Sequence, residues 1–131
     1  DILDTESLAR RSYNPKELVD YNSLLKNNSI GCLTVMVKKD LLKSCTFLDE
    51  GHEDFIFWLQ LLKKEVKARK VSAPPLAEYR IESGSRSSNK VNALKRLWLV
   101  YYKFEKLGFL PSCYFMSIFL FNQLKKKRAL S

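Results

Sequence analysis

Two adjacent carboxylates, Glu53 and Asp54, are the residues of this 131-residue chain whose types and spacing could do chemistry. They open a segment in which apolar residues recur at helical spacing and which ends in two lysines, so they lie where a loop becomes a helix. A carboxylate at such a position can serve as a general base. Acids in a first turn also stabilise the helix dipole, and spacing alone favours this second interpretation.

A second group of candidate residues lies in the Gly/Ser segment 82–89, which contains Ser85, Arg86 and Ser87. Short hydroxyls, a flexible backbone and a bidentate guanidinium are typical of phosphate binding, and Arg86 would contribute most directly. The alternative is a simple connector that ends in a helix cap at Ser87 or Ser88.

Several predicted elements surround these groups. Pro15, which follows Asn14, predicts the start of a short helix that ends near residue 26. The nearly continuous apolar run 30–37 predicts a strand that is buried on both faces. Residues 71–81 predict a further extended segment, with its prolines at an edge of the sheet or outside it.

Two helices are predicted after the Gly/Ser segment. Residues 90–106 follow helical spacing and Gly108 ends that helix, after which Pro111 opens another. Residues 114–121 are apolar apart from Ser117 and precede a basic cluster at 125–128. This run is too short to span a bilayer, which takes about 20 apolar residues. It could lie on an anionic membrane surface, or it could be a buried helix with a solvated tail.

Four stretches of the chain, in this order, resemble glycosyltransferase family 2, whose GT-A-fold enzymes build bacterial surface polysaccharides and lipopolysaccharide. The resemblance as a whole extends over roughly residues 18 to 128. The stretches are residues 24–36, the Glu-Asp-x-x-x-Trp-Leu helix at 53–59, the Tyr-Arg-Ile segment at 79–81 and the loop at 84–90.

The resemblance implies an inverting sugar transfer from a nucleotide-diphosphate donor to a saccharide or lipid-linked acceptor. It aligns Asp54 with the catalytic base and Glu53 with its neighbour in the acceptor site, and it brings Ser85, Arg86 and Ser87 near the donor diphosphate. The implied fold class is α/β. Residues 1–88 are expected to form the acceptor-side, C-terminal half of a GT-A (Rossmann-like) domain, with few strands and flanking helices, and residues 89–131 a helical extension that contacts the membrane.

The chain departs from the family pattern in what it lacks. It has no Asp-x-Asp motif and no initiator Met, so we expect a C-terminal portion that is inactive without its donor-binding half. A divalent metal, Mg or Mn, is expected for the complete enzyme, with ligands mostly outside this chain. Glu82 stands where many relatives have a His, which leaves metal use there open. The alternative is a noncatalytic interaction module or a degenerate remnant of such an enzyme.

Charge is distributed unevenly along the chain. Residues 1–60 hold 7 Lys and Arg against 10 Asp and Glu, whereas residues 61–131 hold 16 against 4. The basic half predicts an anionic partner or a solvated basic face, and since it has no nucleic-acid recognition motif, we expect a membrane surface and not nucleic acid.

Three cysteines and one histidine indicate neither a disulfide framework nor a zinc site. Free thiols fit a cytoplasmic protein, which we expect on the inner face of the cell membrane.

Overall fold

The computed structural model describes residues 2–4, 10–11, 14–49, 52–74, 76–81 and 90–129. Both short strands and helices occur in these segments, which is compatible with the predicted α/β class. The strands are β1 Ile2–Asp4, β2 Arg10–Arg11, β3 Leu18–Val19, β4 Ala68–Arg69 and β5 Tyr79–Ile81. The α-helices are α1 Tyr21–Lys26, α2 Lys39–Leu42, α3 Glu53–Leu62, α4 Lys90–Leu99 and α5 Phe109–Ala129. A 3-10 turn lies at Cys32–Thr34, and α4 continues into a π-helical turn at Val100–Phe104.

The strands form two small sheets. In one, the order is β2-β1-β5, with β1 antiparallel to β2 and parallel to β5. In the other, β3 pairs with β4 in antiparallel register, with Leu18 opposite Arg69. Of the predicted extended segment 71–81, only β5 is a strand among the described residues.

Helix α1 begins later than Asn14 and Pro15 predict. Asp20 caps it, because its Oδ1 accepts a hydrogen bond from Ser23 N at 2.8 Å while Ser23 Oγ accepts one from Asp20 N at 3.0 Å. This reciprocal cap satisfies two backbone donors at the helix start. The hydrogen bonds from Ser23, chiefly the one from its backbone N–H, lower the pKa of the Asp20 carboxyl.

The prediction of a buried strand at residues 30–37 is wrong. This segment contains the 3-10 turn Cys32–Thr34. Leu33, Val35 and Met36 face solvent, Met36 being 100% exposed, whereas Ile30 and Val37 at its ends are partly buried against the core. A strand buried on both faces requires neighbouring strands for its backbone and helices over its faces. In the part of the chain that the structure describes, no strand pairs with residues 30–37.

The hydrophobic core joins α1 and α3 to α4 and the π-helical turn. Tyr101, which is 0% exposed, lies within it and donates a hydrogen bond from its hydroxyl to Leu25 O at 2.6 Å. The buried apolar residues are Val19, Leu24, Leu25, Phe55, Ile56, Phe57, Trp58, Leu59, Leu61, Leu62, Leu97, Val100 and Tyr101. The predicted boundary between residues 88 and 89 touches a segment, 82–89, that lies outside the described residues, and it stays a prediction.

Helix α5 packs against this core along one side only. The ring of Phe115 lies 6.1 Å from that of Tyr101, and the ring of Phe119 lies 6.2 Å from that of Phe55. Asn122 Nδ2 donates to Lys26 O at 3.0 Å, which fixes α5 to the end of α1. Gly108, at φ 85°, precedes α5, as the sequence predicts for the end of the preceding helix. None of the helices in the described segments is both long and apolar enough to cross a membrane.

Candidate active site at the start of helix α3

Glu53 and Asp54 form the first turn of α3, as the sequence predicts. Both side chains are half-buried. Asp54 Oδ1 accepts a hydrogen bond from Phe55 N at 2.7 Å. Within the described residues, Asp54 makes no ion pair. The backbone therefore orients this carboxylate, and no described cation competes for it.

His52 caps α3 in a left-handed backbone conformation. Its φ and ψ are 60° and 34°, its side chain makes no capping hydrogen bond, and its carbonyl accepts from Ile56 N at 3.0 Å. Its Nε2 lies 3.4 Å from Ala93 O, a distance at which a neutral imidazole with its proton on Nε2 can donate. Sequence reasoning missed this role, although His is one of the few non-Gly residues enriched in this conformation. His52 thus links the acidic turn to α4.

The segment before α3 is held against the side of that helix. Thr46 N donates to Gln60 Oε1 at 3.1 Å, and the Phe47 and Phe57 rings stack at 4.3 Å. Farther along, Lys64 Nζ donates to Leu41 O at 2.7 Å. These contacts restrict the chain that leads into Glu53 and Asp54.

Behind the acidic turn, α3 is buried by aromatic residues. Phe55, the residue after Asp54, lies 6.2 Å from Tyr101 in an edge-to-face arrangement. Trp58 is buried and lies 5.3 Å from Phe57, so it packs in the core. Its Nε1 has no hydrogen-bond partner among the described residues.

At its other end, α3 contacts a buried polar cluster that the sequence did not predict. Lys63 Nζ lies 2.8 Å from Glu105 Oε2, which also accepts a hydrogen bond from the Tyr21 hydroxyl. Burial and then the hydrogen bond to Glu105 raise the pKa of Tyr21 above its ordinary value. The cluster joins α1 and α3 to the end of the π-helical turn.

The predicted phosphate-binding residues, Ser85, Arg86 and Ser87, lie outside the described residues, as does Glu82. Helix α4 begins at Lys90, directly after their segment. In the described ranges, no three His, Cys, Asp or Glu side chains come together as they would around a metal ion. The divalent metal expected for the complete enzyme stays a prediction.

Comparison with known proteins gives matches over most of the chain. It is 37% identical over 112 residues to a protein named as the teichuronic acid biosynthesis glycosyltransferase TuaG of Bacillus subtilis (strain 168). It is 36% identical over 98 residues to WfgD of Escherichia coli, named as a UDP-Glc:alpha-D-GlcNAc-diphosphoundecaprenol beta-1,3-glucosyltransferase. These matches take in 85% and 75% of the chain. The chain is a relative of bacterial glycosyltransferases.

The glycosyltransferase resemblance inferred from the sequence is therefore confirmed. An uncharacterized glycosyltransferase of Haemophilus influenzae is also 33% identical over 104 residues. The chain spans less than half the length of these relatives, 44% of TuaG and 38% of WfgD. No family model and no solved structure matches it.

Proposed function

We propose that the chain is the acceptor-side part of an inverting, family 2 glycosyltransferase of the GT-A fold. The complete enzyme moves a sugar from a nucleotide-diphosphate donor to a saccharide or lipid-linked acceptor in cell-surface polysaccharide synthesis, at the cytoplasmic side of the membrane. The observation that carries this proposal is the acidic turn on a buried helix in a relative of bacterial glycosyltransferases. The name of WfgD, which specifies a UDP-Glc donor and a diphosphoundecaprenol acceptor, supports the substrate class.

In this mechanism, Asp54 acts as the general base. It removes the proton from the acceptor hydroxyl while that oxygen forms a bond to the anomeric carbon. The bond from the anomeric carbon to the donor phosphate breaks on the opposite face, so the configuration inverts and the nucleotide diphosphate leaves. Glu53 orients an acceptor hydroxyl, and Ser85, Arg86 and Ser87 bind diphosphate oxygens. A divalent metal in the complete enzyme would supply charge stabilisation to the leaving group.

The geometry around Asp54 suits a base that must be held in place. One carboxylate oxygen is fixed by Phe55 N, and the backbone of this turn is fixed by the burial of Phe55. The Nε2 of His52, within reach of Ala93 O, adds a link to α4. Such positioning reduces the motion that a reacting group must lose at the transition state.

The alternative function is a noncatalytic interaction module or a remnant of a transferase. The observation that favours it is that the given sequence contains no Asp-x-Asp motif. Under the main proposal, the isolated chain also transfers no sugar, because most diphosphate contacts belong to the donor-binding half. A test therefore needs a polypeptide that includes that half.

Asp54→Asn in such a polypeptide tests the proposal. Asparagine retains an oxygen that can accept from Phe55 N, so the turn persists while the base is lost. Turnover should fall by roughly 10²- to 10⁴-fold with donor binding unchanged. Glu53→Gln should have a smaller effect. Asp40→Asn is the matched control, because Asp40 is an exposed first-turn acid of α2 and should leave turnover unchanged. Near-normal turnover of Asp54→Asn would contradict the role of Asp54 as the base and would show that it only stabilises the start of the helix.

A further inference from the structure

The side of α5 that faces away from the core is apolar. Leu110, Tyr114, Phe121 and Leu124 are between 57% and 78% exposed. Their spacings of 4, 7 and 3 residues put them on one stripe of the helix. On the opposite side of α5, Phe115 packs on Tyr101 and Phe119 packs on Phe55. The exposed stripe is thus separate from the buried one.

This stripe is continuous with an apolar surface on α4. Trp98 stacks on Tyr102 at 5.5 Å and meets Phe109, the first residue of α5, edge to face at 5.6 Å. Beside them runs an open groove lined by Val91, Leu94, Lys95, Trp98, Leu99 and Met116. We call the exposed stripe of α5, the Trp98–Tyr102–Phe109 cluster and this groove the outer face. Contiguous exposed apolar surface is typical of interaction sites.

The charge around the outer face is positive. Residues 90–131 contain nine Lys and Arg and a single acid, Glu105. Glu105 is buried and paired with Lys63, so it does not offset the exposed Lys95 and Lys125. Lys125 Nζ lies 4.7 Å from the centre of the Phe121 ring, and Lys95 lines the groove. Aromatic and basic side chains therefore share one surface.

This combination discriminates between partners. A second copy of the chain would bring like charges together across the contact, which opposes association. An anionic bilayer offers an apolar boundary for Tyr114 and Phe121 and phosphate groups for the lysines. A helix of this length, about 30 Å, can rest along the surface without crossing it.

We propose that the outer face docks on the surface of an anionic bilayer, with α5 parallel to the membrane plane. Tyr114, Phe121 and their stripe enter the headgroup and acyl boundary, while the basic residues contact lipid phosphates. This inference goes beyond the proposed function, since it holds whether or not the chain belongs to an active transferase. It also limits the membrane contact predicted from residues 114–121, because Phe115 and Phe119 face the core.

Flotation with vesicles of phosphatidylglycerol and phosphatidylcholine in equal parts tests the charge requirement. The unmodified chain should float with them, bind weakly to phosphatidylcholine alone and dissociate as salt is added. Changing Lys125, Lys126, Lys127 and Arg128 to Gln together should lower partitioning by roughly 10²- to 10³-fold. Equal binding to neutral and anionic vesicles would overturn the proposal.

The apolar requirement is tested with Leu110→Ser, Tyr114→Ser and Phe121→Ser combined. These side chains are exposed, so the fold should persist in thermal melts while flotation is lost. The matched control combines Leu33→Ser, Met36→Ser and Leu76→Ser, which removes exposed apolar groups elsewhere and should leave flotation unchanged. Unchanged flotation of the outer-face variant would refute the proposal, as would a concentration-dependent dimer that this variant abolishes without any vesicle binding.

Discussion

Lys63 Nζ lies 2.8 Å from Glu105 Oε2, and this ion pair joins the end of α3 to the end of the π-helical turn. Glu105 is 8% exposed and also accepts a hydrogen bond from the Tyr21 hydroxyl. A buried carboxylate needs such partners, because an unpaired charge away from water is strongly unfavourable. Three elements that are distant in sequence are therefore held together at one oxygen.

We expect Glu105→Ala to lower the free energy of unfolding by about 2 to 4 kcal/mol, because it leaves the Tyr21 hydroxyl and Lys63 without their acceptor. Asp40→Ala is the comparison, since Asp40 pairs with Lys43 at 3.0 Å on the surface. That change should cost no more than about 0.5 kcal/mol. Urea denaturation measures both, and equal losses would show that the buried pair stabilises nothing more than an exposed one.

Stability should fall at alkaline pH because of Tyr101. Burial raises the pKa of its hydroxyl above the ordinary value of 10.0. The unfolded chain releases this proton near pH 10 and the folded chain holds it, so the contribution is complete below that pH and is lost as the pH rises further. The melting temperature of the unmodified chain should therefore drop more between pH about 9 and about 11 than that of Tyr101→Phe. If the melting temperatures of the two proteins fall equally over this pH range, the raised pKa of Tyr101 does not contribute to the loss of stability.

His52 provides a test of the backbone at the candidate site. His52→Ala should destabilise the chain by about 1 to 2 kcal/mol, because alanine tolerates a φ of 60° poorly. His52→Asn should cost less, since asparagine adopts this conformation more readily. Both variants lose the imidazole contact with Ala93 O, so their difference isolates the backbone effect. Chemical denaturation, with hydrogen exchange at the first amides of α3, measures this difference. Identical free energies of unfolding for the two variants would show that the left-handed conformation at residue 52 does not affect stability.

The helices were predictable because their signals are local. Apolar spacing after Asp54 defines α3, and Gly108 marks the end of the preceding helix. The Asp20 cap also has a local signal, which is Ser23 three residues later. Asn14 and Pro15 match the pattern of a helix start as well, so the sequence predicts a start that is too early. A cap is recognised only when its partner three residues later is considered with it.

Other features could not be predicted from local patterns. An apolar run such as 30–37 indicates burial without identifying what covers it, and Met36 is fully exposed among the described residues. Lys63 and Glu105 are distant in sequence, so no local sequence pattern predicts their ion pair. Within the candidate site, the acidic turn is predictable from local sequence. The contact between His52 Nε2 and Ala93 O is not, because it depends on tertiary packing.

Phe55 follows Asp54 directly and lies 6.2 Å from both Tyr101 and Phe119. Those rings belong to the π-helical turn and to α5. A displacement of α5 would therefore move the Phe55 ring, which belongs to the residue that follows the candidate base. With α5 resting on a bilayer, Asp54 would sit at a constant height above the lipid phosphates. An acceptor anchored in the same bilayer would then need to search for the carboxylate in two dimensions only.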